Sequence, residues 1–121
     1  MRVFLADDQA KVRSALRLLL EQEPGLSVVG EAAKAEDLLA QVQTTLPDLV
    51  LLDWELPGLG AADLLSILHS LGCHLKVIAL SGHLDAREEA LVAGADAFVS
   101  KGEPPEQLLA ALHALGVGTE I

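Results

Sequence analysis

The chain has 121 residues, a formal net charge of −10 and 51% apolar residues, but only three aromatic ones: Phe4, Trp54 and Phe98. That length makes one domain with a single core of Leu, Val, Ala and Ile, and the acidic balance excludes non-specific binding to nucleic acid or anionic membranes. No apolar run nears the roughly 20 residues that span a bilayer, no signal-peptide architecture precedes the first strand, and Cys73 is alone, so the expectation is a cytoplasmic domain without disulfides.

Arg2–Ala6 reads as a first strand that runs directly into Asp7-Asp8. In the helix that follows, Val12, Leu16, Leu19 and Leu20 recur at helical spacing, and Lys11, Arg13, Arg17 and Glu21 are interleaved on the face expected to be wet. Pro24-Gly25 stops it. A second strand over Leu26–Ala32 is mixed in polarity and is expected at a sheet edge. Helix two runs from Ala35 to Leu46 and ends at Pro47; strand three, Leu49–Asp53, follows. Helix three spans Ala61–Leu71 and is stopped by Gly72, and strand four is Lys76–Ser81. Helix four starts at an Asp85 N-cap and ends by Gly94. Strand five, Ala97–Ser100, delivers Lys101, and helix five runs from Pro105 to Gly116. Residues 116–121 read as a tail or the start of a linker.

Five alternations of strand and helix are the pattern of a parallel sheet covered by helices on both faces. The unbroken apolar runs Leu49-Val50-Leu51-Leu52 and Val77-Ile78-Ala79-Leu80 mark central strands buried on both sides. In such sheets ligands collect beyond the carboxyl ends of the strands. The chain places Asp7, Asp8, Asp53, Ser81 and Lys101 there. Three carboxylates in one pocket repel one another unless a hard cation lies among them. Magnesium prefers oxygen donors and keeps several waters. Asp8 and Asp53 are therefore expected as direct ligands, the Glu55 backbone carbonyl as a third oxygen, and Asp7 as a ligand through water. Taken alone, Asp7-Asp8 reads as well as a helix cap; three acids at two strand ends do not. Asp53 is the expected nucleophile, since a carboxylate can attack phosphorus in line and form an acyl phosphate. The protein's part is then positioning and charge neutralisation, with Lys101 and the Ser81 hydroxyl each taking a phosphoryl oxygen.

With these residues in place, the chain resembles the receiver domains of bacterial two-component response regulators. The matching blocks are Asp7-Asp8, Leu51-Leu52-Asp53 with Leu56-Pro57-Gly58, Ala79-Leu80-Ser81-Gly82, Gly94-Ala95-Asp96-Ala97-Phe98 and Ser100-Lys101. They cover essentially the whole chain. The runs Asp7-Asp8-Gln9-Ala10-Lys11-Val12-Arg13 and Val28-Val29-Gly30-Glu31-Ala32 are most similar to a subgroup whose full-length members carry a C-terminal helix-turn-helix DNA-binding domain, which this segment does not include.

The resemblance implies a flavodoxin-like (βα)5 fold, a doubly wound sheet of five parallel strands in order 2-1-3-4-5, over residues 1–121 as one receiver domain. It implies Mg2+ at Asp7, Asp8 and Asp53, and phosphoryl transfer to Asp53 from a phosphohistidine of a sensor histidine kinase or phosphotransfer protein. Ser81 and Lys101 would read the phosphate. Phe98 occupies the position of a switch aromatic that turns inward as Ser81 moves, reshaping the face of helix four, strand five and helix five. Such a domain gates an output such as transcription and can dimerise on phosphorylation. It assists its own phosphorylation and dephosphorylation but is not a turnover enzyme, and it contacts DNA only through an output domain and membranes not at all.

Two departures stand out. Gly102 follows Lys101 where many receivers have a proline in a cis peptide, so the cis bond is not expected here. Gly60-Ala61 replaces an acid-glycine pair. Glu55 and His83, two residues beyond Asp53 and Ser81, are expected to line the pocket entrance and tune attack of water on the phosphoaspartate. Trp54 is expected to pack on the other side of its strand. His69, His74 and His113 lack metal-ligand spacing. The competing reading is a phospho-independent receiver-like interaction module, which would be expected to lack part of the reactive set. A flavin-type carrier would need a glycine-rich phosphate loop and stacking aromatics, and has neither.

Overall fold

The computed structural model describes residues 1–71 and 74–116. The order is β1 (Arg2–Ala6), α1 (Ala10–Glu21), β2 (Ser27–Ala32), α2 (Ala35–Thr45), β3 (Leu49–Asp53), α3 (Ala61–Leu71), β4 (Lys76–Ser81), α4 (Ala86–Ala93), β5 (Ala97–Ser100) and α5 (Pro105–Ala114). All strand pairs are parallel, in the order β2-β1-β3-β4-β5. The mixed second strand is an edge, as expected, and the two apolar runs are interior. The predicted Gly72 stop, Cys73 and the tail beyond residue 116 lie outside the described residues.

Alternation along the strands divides the core into two layers. Phe4, Ala6, Val50, Leu52, Val77, Ala79 and Phe98 point toward α2, α3 and α4. Val3, Leu5, Leu49, Leu51, Ile78, Leu80 and Val99 point toward α1 and α5. Every residue of β3 is buried, including its terminal Asp53.

Local chemistry sets the element ends. Helix α2 ends one residue before the predicted Leu46, which adopts φ 49°; the Arg2 Nε donates to the Thr45 carbonyl at 3.2 Å and closes the helix. Asp85 occupies the N-cap position of α4 but its side chain makes no capping hydrogen bond, whereas Gly94 ends the helix at φ 113°. The Lys101–Gly102 bond is trans, like every described peptide.

Gly30 makes the closest approach in the edge strand. A Cβ there would lie 2.5 Å from Phe4 Cε2 and 2.9 Å from Phe4 Cδ2. Gly30→Ala must push the Phe4 ring into a filled layer, and is expected to destabilise the fold by about 2 kcal/mol; urea unfolding of the two proteins checks it.

Candidate functional site

β1 and β3 end side by side, so their terminal acids converge beyond the sheet. Asp7 and Asp53 are each 1% exposed, while Asp8 faces solvent. Carboxylate oxygens of Asp7, Asp8 and Asp53 all lie within 4.8 Å of one another. Asp7 is not a helix cap: Gln9 holds the N-cap position, and Asp7 Oδ1 accepts the Gln9 N–H at 2.8 Å in a tight turn. That turn tucks Asp7 under the pocket and leaves Asp8 at its mouth.

Lys101 reaches across from the end of β5. Its Nζ stands 2.8 Å from Asp7 Oδ2 and 3.2 Å from Asp53 Oδ1. Its backbone N–H donates to the Ser81 carbonyl at 2.8 Å, which fixes the start of its side chain against β4. Asp53 Oδ1 also accepts the Glu55 N–H at 3.0 Å. Burial pushes the Asp53 carboxyl above its ordinary value and the Asp7 charge adds to this; the Glu55 N–H and Lys101 oppose the shift without cancelling it. Burial works to lower the Lys101 ammonium, but Asp7 and Asp53 outweigh it and hold the group above its ordinary value.

Ser81 is fully buried at the end of β4. Its hydroxyl donates to the Glu55 carboxylate, at 2.9 and 3.0 Å from the two oxygens, and accepts the His83 N–H at 3.0 Å. Glu55 and His83 thus both reach the pocket, Glu55 by its side chain and His83 by its backbone. Phe98 is 6% exposed and lies in the core layer under α4, with the Arg87 guanidinium 6.0 Å from its ring centroid. Trp54 packs in the same layer and donates its indole N–H to Glu89 of α4 at 2.7 Å.

One supporting contact went unread in the sequence. Arg13, expected on the wet face of α1, turns inward, donating to the Asp7 carbonyl at 2.6 Å and to Glu31 at 3.0 Å. Arg17 Nε donates to the other Glu31 oxygen at 2.7 Å. Burial tends to raise the Glu31 carboxyl, but the two arginines outweigh it and hold the group below its ordinary value. A depressed carboxylate contributes stability above its unfolded pKa and loses it as pH falls through the folded one. Glu31→Gln is therefore expected to cost about 1 kcal/mol at neutral pH. The difference should shrink as pH falls through the native Glu31 pKa, in urea unfolding at a series of pH values.

The acidic pocket with its lysine and serine, on a sheet of this order, can now be set beside known proteins. Residues 3–113 match the family model of the response regulator receiver domain. The chain belongs to that family. It is a receiver domain of the two-component kind. Over 118 residues it is 35% identical to the nitrate/nitrite response regulator NarL of Escherichia coli, covering 96% of this chain and 55% of that protein. The response regulator UvrY of Escherichia coli is 33% identical over 120 residues, covering 98% and 55%. The chain thus spans about half the length of the curated relatives it matches. Among solved structures, the isolated REC domain of RcsB from Salmonella enterica serovar Typhimurium, in the presence of phosphomimetic BeF3−, superposes with a TM-score of 0.90 at 25% identity. It covers 100% of this chain and 91% of that one. A LuxR-family response regulator from an Aurantimonas species gives 0.86 at 32% identity, covering 94% and 83%. No described helix is long and apolar enough to cross a membrane.

Proposed function

We propose that Asp53 accepts a phosphoryl group from the phosphohistidine of a sensor histidine kinase or phosphotransfer protein, within a receiver unit spanning residues 1–121. The supporting observation is the buried Asp7–Lys101–Asp53 cluster: an ammonium 2.8 and 3.2 Å from two buried carboxylates at adjoining strand ends. Residues of this kind position a phosphoryl group and neutralise its charge. Asp53 attacks phosphorus through a carboxylate oxygen as the bond to the donor nitrogen breaks. Lys101 then pairs with one phosphoryl oxygen and Ser81 donates to another.

The pocket fits a hard divalent cation. Its donors are all oxygens, three carboxylates converge, and Asp7 Oδ2 is buried without a well-directed hydrogen bond, its only ion partner among the described residues being Lys101. Asp7, Asp8, Asp53 and the Glu55 carbonyl would hold Mg2+, which supplies charge neutralisation for the phosphoryl oxygens when bound. Phe98 and the α4–β5–α5 face carry the signal to an output, with transcription as the output and a phosphorylation-dependent homodimer as its form. The domain assists its own phosphorylation and dephosphorylation without turning over a substrate. Its place is the cytoplasm, and its own acidic surface does not contact DNA.

Incubation with acetyl phosphate and Mg2+, read by intact mass, tests the assignment. One phosphoryl group should be added to the wild type, none without Mg2+ and none to Asp53→Asn. An unchanged mass together with no response to beryllofluoride would transfer the reading to a phospho-independent module.

A further inference from the structure

The Ser81 hydroxyl has one proton to give and is already committed. It is shared between both oxygens of the Glu55 carboxylate, at 3.0 and 2.9 Å, and its acceptor side is taken by the His83 N–H at 3.0 Å. Ser81 is fully buried, whereas Glu55 is exposed, so the carboxylate reaches down into the pocket from the surface. A phosphoryl group on Asp53 needs that same proton, and it arrives as a second anion. Both anions cannot share a single hydroxyl donor.

We propose that the Glu55 side chain is a latch on Ser81 that must be expelled before the phosphoryl group is bound. This rests on reading Asp53 as the phosphoacceptor, and it adds a resting state set by this chain's own acid. The Glu55 backbone holds its place through the Glu55 N–H to Asp53 Oδ1 bond at 3.0 Å, so only the side chain has to swing. While the latch is closed, the pocket presents a fourth carboxylate beside Asp7, Asp8 and Asp53, and Ser81 offers nothing to an incoming anion. Glu55 is thus a positioning residue that opposes phosphoryl binding and keeps the unphosphorylated state populated. Its release couples occupancy of Asp53 to the freeing of the Ser81 hydroxyl, because one event requires the other.

The test is titration with beryllofluoride in saturating Mg2+, following Trp54 fluorescence with fluorine NMR as a second readout. The proteins are wild type, Glu55→Ala, Glu55→Gln, Ser81→Ala and the Glu55→Ala/Ser81→Ala double variant. Because Glu55 is exposed, its replacement leaves the core intact. Glu55→Ala should bind about tenfold more tightly than wild type, the low end for loss of a competing hydrogen bond to a charged group. Glu55→Gln, which keeps an acceptor but not the charge, should gain less. Once Ser81 is alanine, the Glu55→Ala gain should vanish. An equal gain in the Ser81→Ala background would assign Glu55 to bare charge repulsion and overturn the latch. Unchanged or weaker binding by Glu55→Ala would overturn it too. If none of the proteins binds saturably, the phosphoacceptor reading itself fails and the latch goes with it.

Discussion

An Asp53→Asn protein is expected to be more stable than the wild type in chelator, by about 1–2 kcal/mol, or roughly 4–8 °C in melting temperature. Asp53 is 1% exposed and close to the Asp7 carboxylate, and its carboxyl is pushed above its ordinary value. The folded state therefore holds the Asp53 proton more tightly than the unfolded chain does, so ionising Asp53 weakens the fold. For a raised carboxyl, stability falls as pH rises from the ordinary value through the native one. The advantage of asparagine should accordingly grow over that window and disappear below it. Added Mg2+ should reverse the order. A ligand that binds only the folded state stabilises it by RT ln(1 + [L]/Kd), and the variant has lost a carboxylate from the site. Thermal unfolding in chelator and in Mg2+ checks both arms. Curves that keep a constant separation would remove Asp53 from the proposed metal site. A lower melting temperature for the variant in chelator would mean that Lys101 more than compensates the buried charge.

That the proposed phosphoacceptor is expected to weaken its own fold bears on what could be read from the sequence. Asp53, Ser81 and Lys101 were legible because each ends an apolar run, and a parallel sheet brings strand ends together whatever the side-chain details. The same runs gave β3 and β4 to the residue. The contacts that tune the site were not legible. Glu55 was placed at the pocket entrance by its offset from Asp53, but its hold on Ser81 depends on a rotamer and on the turn after β3. Arg13 reads as a wet-face residue of α1, and only the position of Glu31 on the neighbouring edge strand turns it inward. The Trp54–Glu89 bond joins residues 35 apart across a helix–sheet contact, with no local pattern to announce it. Strand periodicity records which face a residue takes; it does not record which polar partner waits there.

Loss of Lys101 should have the largest effect on the fold. Among the described residues it is the one ion-pair partner of Asp7 and Asp53, which are both buried. Removing one partner of a buried charge cluster leaves the others uncompensated, and Lys101→Ala is expected to cost about 3 kcal/mol in chelator. Part of that cost is the lost stem of a side chain that is itself only 22% exposed, so Lys101→Met, which keeps the stem, isolates the charge. Two results would identify the cause as electrostatic. Mg2+ should restore more stability to Lys101→Met than it adds to the wild type, because a divalent cation replaces the missing charge among the same oxygens. The cost of Lys101→Met should also shrink in an Asp53→Asn background, where one of the two carboxylates to be neutralised is gone; such non-additivity is expected of groups in direct contact. Urea unfolding of the four proteins with and without Mg2+ reads both. Additive effects that ignore Mg2+ would reduce Lys101 to a packing residue and leave the proposed phosphoryl pocket without its fixed positive charge.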